Sequence, residues 1–214
     1  MQNAFGLEIP ETLDEVCDPN RVALLVYDMQ VGVLGQIARR DEIIQAVQRV
    51  VGAARGAGVR TFFSRHMSLP KNLAGAFQLR QAMAWQRATS VNDVEPWFQP
   101  DSPGFPITPE VQPQPTEAVF DKITMSAFEG TPLDIALRDC GLIGFVVVGV
   151  AMEIGIEPTV RHGADLGYVP VVVTDACGAG NEDAAQRARD TIQFIGDGFL
   201  TNTDRICRIW RSAS

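Results

Sequence analysis

Asp28 and Lys122 are the residues of this 214-residue chain best placed to move a proton. Each follows a short run suited to a β-strand: Asp28 comes after Val22–Tyr27, and Lys122 comes after residues 118–120. Ligands in open α/β sheets bind beyond the carboxyl ends of the strands. A carboxylate and an ammonium at two such ends can converge in one pocket, where their attraction favours both charged forms and burial opposes them. Each also has an ordinary reading, since a strand-end Asp often caps a loop and a single Lys is usually solvated. The same rule gathers Arg65 and His66, the stretch Ala151 to Gly155, and Asp175 around the crevice. His66 and His162 are the only histidines, too few for a typical zinc site of three or four protein ligands, so neither a metal nor another cofactor is expected. His66 at a pocket rim could still contact substrate. The four cysteines (Cys17, Cys140, Cys177, Cys207) have no paired short spacing, which disfavours a cysteine-rich zinc site and a disulfide scaffold.

The elements that must position these residues alternate in type. Val22–Tyr27 is nearly continuous in apolar residues, as a strand buried on both faces should be. Residues 37–57 then repeat apolar positions (Ile43, Ile44, Val47, Val50, Val51, Ala54) at helical spacing, and Gly56 and Gly58 stop them. Residues 59–64 and 118–120 read as strands. Pro132 opens a helix that Gly141 ends. Gly144–Val150 is the strongest strand pattern, and a helix is expected from Gly155 to Leu166 with Pro158 in its first turn. A strand over 169–174 and a helix over 182–194 complete the series. The expectation is a three-layer, Rossmann-like α/β fold: about six mostly parallel strands with helices on both faces, in a single domain over 1–214. Seven of the thirteen prolines fall between Val91 and Thr116, where periodicity is weak. A segment of that length reads equally as a lid over a site or as a surface excursion.

Composition narrows the partners. Hydrophobic residues make up 46% and charged residues 21%, and the formal net charge is −8. An acidic chain without a basic stripe is poorly suited to nucleic acid, whereas a small-molecule substrate fits, even an anionic one. Residues 1–15 lack the basic-then-apolar pattern of a secretory signal, and the stretch 142–156 is too short and too interrupted to span a bilayer. A cytoplasmic protein without membrane contact is expected.

Four segments resemble the isochorismatase-like hydrolase superfamily: ALLVYDMQ (23–30), FDKITMSAF (120–128), VVVGVAMEIGIEPTVRHGADLGY (146–168) and VVVTDAC (171–177). In the cysteine hydrolases of that superfamily an Asp, a Lys and a Cys form the catalytic set. The resemblance maps the first two onto Asp28 and Lys122. The cysteine belongs at the last position of a pattern like G-V-x-x-E-x-C, which here reads Gly149-Val150-Ala151-Met152-Glu153-Ile154-Gly155. The position implied for the nucleophile is therefore glycine, Gly155, which has no side chain to attack a carbonyl. The resemblance further implies a cis peptide at Val150–Ala151. It leaves backbone N–H groups of the helix start, Ala151 among them, free to hold an oxyanion. Met152, Ile154 and Phe128 are candidate apolar walls, and Glu153 and Glu157 suit structural roles. Nicotinamidases of the superfamily bind zinc through an Asp and two histidines after the second strand; here that region offers His66 alone.

Three readings follow. True isochorismatases resemble this chain in keeping the Asp and Lys with glycine at the cysteine position, and in the pattern K-x-x-x-S-A-F (122–128). On that leading reading Asp28 protonates a vinyl ether, Lys122 orients the substrate, and Arg161 or Arg65 is available for a substrate carboxylate. Either arginine fits an ordinary surface ion pair equally well. The second reading is hydrolysis of an amide or cyclic imide by Asp-activated water. The third is a binding protein that kept the pocket and lost the chemistry. Family members are usually dimers or larger homo-oligomers, which is the expectation here. The aromatic residues Trp85, Trp97, Phe98 and Phe105 suit either an interface or a pocket wall.

Overall fold

Strand runs that are apolar on both faces must be covered on both faces, and the computed structural model, which describes residues 1–213, shows how. The chain opens with an antiparallel hairpin, β1 (Gln2–Ala4) and β2 (Leu7–Ile9), and a one-turn helix α1 (Leu13–Val16) held by a Thr12/Glu15 capping box. Then come β3 (Val22–Tyr27), α2 (Val31–Leu34), α3 (Arg40–Gly56), β4 (Arg60–His66), α4 (Ala76–Gln86) and β5 (Ala118–Lys122). The second half runs α5 (Leu133–Asp139), β6 (Gly144–Val150), α6 (Glu157–Asp165), β7 (Val169–Gly178), α7 (Glu182–Ile195), β8 (Phe199–Thr201) and α8 (Thr203–Ser212).

Six strands make one sheet in the order β5-β4-β3-β6-β7-β8, each neighbouring pair parallel. All positions of β3 and β6 are buried, and they alternate between two cores. Val22, Leu24 and Val26 face α3 and α8, where Val47, Val50, Ile206 and Trp210 cover them. Ala23, Leu25 and Tyr27 face the layer containing Leu137 of α5, Val160 of α6 and Ile192 of α7. Each fully buried aliphatic side chain contributes roughly 1.5–3 kcal/mol relative to exposure, so these two faces dominate the fold's stability.

The order matters for function because connections after β3 run toward β5, whereas those after β6 run toward β8. The carboxyl ends of β3 and β6 therefore flank the switch point, where an open sheet leaves a crevice. The structure lengthens two expected strands so that Arg65, His66 and Lys122 lie on strand ends rather than after them. β7 also continues past Thr174 after a register shift against β6. Asp175 consequently lies within β7, and its carboxylate accepts from the N–H and hydroxyl of Thr203 at 2.8 and 2.9 Å. It caps α8 and takes no part in the crevice, which corrects the strand-end expectation. The helix expected to begin at Gly155 is preceded by a π-helical turn, Met152–Ile156. No helix among the described residues is long and apolar enough to cross a membrane.

Candidate active site

Asp28 follows the last residue of β3 with φ +46°, a conformation L-residues rarely adopt. Its amide donates to the carbonyl and hydroxyl oxygens of Ser64 on the neighbouring strand, at 3.2 and 3.3 Å. The Ser64 hydroxyl donates in turn to Oδ1 of Asp28 at 2.6 Å. Lys122, at the end of β5, donates from Nζ to Oδ2 at 2.7 Å and to the Thr124 carbonyl at 3.2 Å. The lysine side chain is wholly buried. Burial pushes its pKa down, and the adjacent carboxylate opposes that shift. Its ammonium also lies 4.2 Å above the centroid of the Tyr27 ring. Three adjacent strands thus converge on one carboxylate.

The other wall is built at the end of β6. The Val150–Ala151 peptide is cis, as the sequence resemblance implied. The amides of Ile154, Gly155 and Ile156 all donate to the Ala151 carbonyl, at 3.3, 3.1 and 3.2 Å. The expected free N–H groups are therefore, for these residues, engaged within the turn. Glu153 accepts from the amides of Gly180 and Asn181 at 2.9 and 2.8 Å, tying the turn to the entrance of α7. Thr159 donates to the Gly155 carbonyl at 2.7 Å and accepts from the Ala127 amide at 3.0 Å. Gly155 is glycine for a steric reason. A Cβ built there would lie 2.6 Å from Cε1 of Tyr27 and closer still to its hydroxyl oxygen.

Between these walls is a cavity of about 210 Å³ lined by Asp28, Tyr27, Gly155, Ala151, Ile154 and His66, with Met125 beside Tyr27. Trp85 of α4 and Trp97 and Phe98 of the proline-rich segment close its far side. A smaller chamber of about 80 Å³ shares His66, Trp85, Trp97 and Phe98 with it. Burial pushes His66 down to about 4, so the ring is neutral near pH 7. Its backbone is clamped by Gln30, whose side chain accepts from the His66 amide at 2.6 Å and donates to the His66 and Phe105 carbonyls at 3.0 and 2.9 Å. Glycines also dock the proline-rich segment: the Gly32 amide donates to the Gly104 carbonyl at 2.9 Å, and a Cβ on Gly32 would come within 3.0 Å of the Gly104 Cα.

Asp28, Lys122 and Gly155 thus come together, with Ala151, Ile154 and His66 around them. Met152 and Phe128 lie in the core instead; Phe128 stacks on Tyr168 at 5.6 Å and meets Phe145 at 5.4 Å. Arg161 pairs with Glu157 one helical turn earlier, outside the cavity lining. Arg65 pairs with Asp121 at 2.7 Å and covers the Phe105 ring. Phe105 therefore belongs to that packing rather than to the cavity. Ser64, Gln30 and Tyr27 were not singled out from the sequence. Ser64 gave no signal, but the one aromatic residue in VALLVY was visible.

Among the described residues no group of three or more His, Cys, Asp or Glu side chains could hold a metal ion. No cysteine lines the cavity that holds Asp28. Cys177 is buried with its thiol toward the Val147 carbonyl, and burial pushes its pKa far up; Cys17 is pushed up to about 12.

A family model described as "Isochorismatase domain" matches residues 22–203. Curated relatives include the ureidoacrylate amidohydrolase RutB of Pantoea ananatis, 28% identical over 211 residues, covering 88% of this chain and 82% of that protein. The protein of the same name from Serratia proteamaculans is 27% identical over 209 residues, with the same coverage. Among solved structures, a cysteine hydrolase from Pseudomonas syringae pv. phaseolicola superposes with TM-score 0.78 at 23% identity, covering 92% of this chain and 95% of that one. N-carbamoylsarcosine amidase from Thermoplasma acidophilum gives TM-score 0.70 at 20% identity, with coverage of 86% and 97%. At such identities the solved structures speak for the fold alone.

Proposed function

Because the chain belongs to the isochorismatase family and is a hydrolase, we propose that it acts without a covalent intermediate, with Asp28 moving the proton and water as the nucleophile. The observation that carries this reading is at residue 155. The position where the family resemblance puts a nucleophilic cysteine is glycine, and the Tyr27 phenol fills the space beside it. What remains is a buried carboxylate–ammonium pair, which is machinery for proton transfer.

The substrate class this fits best is an enol ether, as in isochorismate. A carboxylate-catalysed acyl transfer needs donors aimed at a developing oxyanion. Here the amides of Gly155 and Ile156 already bond to Ala151. Vinyl-ether hydrolysis makes no such demand. Burial makes the Lys122 ammonium a better acid, so it can supply the proton that Asp28 delivers to the enol carbon. Water adds to the resulting oxocarbenium carbon and returns a proton to Asp28. The hemiketal then collapses to a ketone and an alcohol. Ile154, Ala151 and the tryptophans hold the apolar body of the substrate, and neutral His66 offers a hydrogen bond at the rim.

A second reading, amide or cyclic-imide hydrolysis by water activated at Asp28, is favoured by the names of the amidohydrolase relatives. Turnover of isochorismate beside a panel of small amides and imides separates the two. Asp28→Asn is the control, and its expected loss is at least about 100-fold with the fold retained, in line with general acid–base contributions. Undiminished turnover by that variant removes Asp28 from the mechanism. Amide turnover that vanishes with Asp28→Asn, in the absence of isochorismate turnover, selects the second reading.

A further inference from the structure

Successive residues of a strand face opposite ways, yet Tyr27 and Asp28 both line the cavity because Asp28 turns into the left-handed region. Tyr27 is 2% exposed, its ring supports the Lys122 ammonium, and its hydroxyl donates to the Met125 carbonyl. These contacts hold the phenol in one place, against the Cα of Gly155. The ring cannot yield cheaply, because it lies in the buried cluster that also holds Leu25, Met152 and Ile156, all of them at most 2% exposed.

We propose that Tyr27 is the residue that closes this site to covalent catalysis: its phenol occupies the slot a nucleophile at position 155 would need, so the attacking group must be water. The inference rests on reading position 155 as the nucleophile's place, and its test requires no substrate. The surroundings of the slot otherwise suit a thiolate, since the Lys122 ammonium, on the far face of the ring that fills it, favours negative charge. Exchanging the two residues should therefore open a working thiol site.

The test compares Gly155→Cys with the double variant Tyr27→Val/Gly155→Cys. Each is treated with iodoacetamide at pH 6.5, the thiolate sulfur bonding the methylene carbon as iodide leaves. Peptide mass spectrometry then follows labelling at residue 155 against labelling at exposed Cys140. In the double variant, labelling at 155 should outpace that at Cys140 at least tenfold, and Lys122→Met on that background should abolish the advantage. In the single variant the protein should lose thermal stability and label at 155 at least tenfold more slowly than the double. A single variant as stable as the parent and as reactive as the double overturns the proposal. Should the cysteine variants fail to fold, the same cycle with alanine decides. Gly155→Ala should lower Tm, and adding Tyr27→Val should recover part of the loss. Wild-type stability in Gly155→Ala, or no recovery in the double, overturns the proposal. These outcomes are independent of which bond the enzyme cleaves, which the substrate panel reads separately.

Discussion

The sheet side of the cavity and the side facing it are built differently. Asp28, Ser64 and Lys122 are each at most 5% exposed, and both carboxylate oxygens of Asp28 have partners within 2.7 Å. Opposite them, α4 contributes no buried residue, and Trp85 and Trp97 stand 43% and 38% exposed. Proton transfer is sensitive to sub-ångström displacement, so its groups belong on the sheet: β3 and β4, which position Asp28 and Ser64, are paired on both sides, and Lys122 at the end of the edge strand β5 is held by burial and its ion pair. Recognition of an apolar body tolerates softer walls, and sparse packing of this kind marks a region that opens at low free-energy cost. On the proposed function, this contrast puts chemistry on the sheet and substrate choice on the aromatic side.

The largest effect should come from breaking the sheet side. Lys122→Met leaves the Asp28 carboxylate buried without its cation and should lower stability by about 3–5 kcal/mol in urea denaturation, with turnover lost. Adding Asp28→Asn should return much of that stability and none of the activity. A loss below about 1 kcal/mol in the single variant would mean that the pair is not a buried charge couple.

A smaller effect concerns pH. His66 has its pKa lowered from 6.5 to about 4 in the folded chain, so the unfolded chain takes up the proton first as pH falls. The stability that depends on a neutral His66 is complete above pH 6.5, declines between 6.5 and 4, and then levels off. Its size should be on the order of 2 kcal/mol, discounted for the partial exposure of the ring. His66→Asn should flatten Tm against pH in that window, and an unchanged slope would show that the ring is not held neutral.

On the aromatic side, Trp97→Ala should raise KM by about five- to tenfold with kcat within about twofold, the signature of lost uniform binding. A matching fall in kcat would place this wall in the chemistry and erase the contrast. The smallest effect is expected from thiol reagents. Cys140 is the one exposed cysteine among the described residues, so it should label first, with no loss of turnover. Inactivation that tracks labelling of Cys177 would reverse that view.

The sequence reveals the sheet side far better than the aromatic side, for a physical reason. A strand covered on both faces writes a continuous apolar run, and β3 and β6 coincide with the runs 22–27 and 144–150. The convergence of Asp28 and Lys122 follows from the strand-end rule together with parallel order. By contrast, α4 buries nothing and so leaves no apolar stripe to read. β8 has three residues, too few for a periodic signal. α8 carries Ile206, Ile209 and Trp210 at helical spacing, a stripe diluted by Arg205, Arg208 and Arg211. Asp175 misled because a strand-end carboxylate serves a cap as well as a pocket, and only the shifted register decides between them. The fit of Tyr27 against Gly155 spans 128 positions of sequence, and no local pattern encodes it.

That fit also shapes the mutational routes open to the protein. A codon change at 155 alone meets a steric wall, whereas a change at 27 alone removes an aromatic ring from the core and the support beneath Lys122. Either first step is penalised before the second can compensate, so the two positions behave as a ratchet. If that fit governs the site, sequence variation should accumulate on the aromatic side while positions 27 and 155 change together.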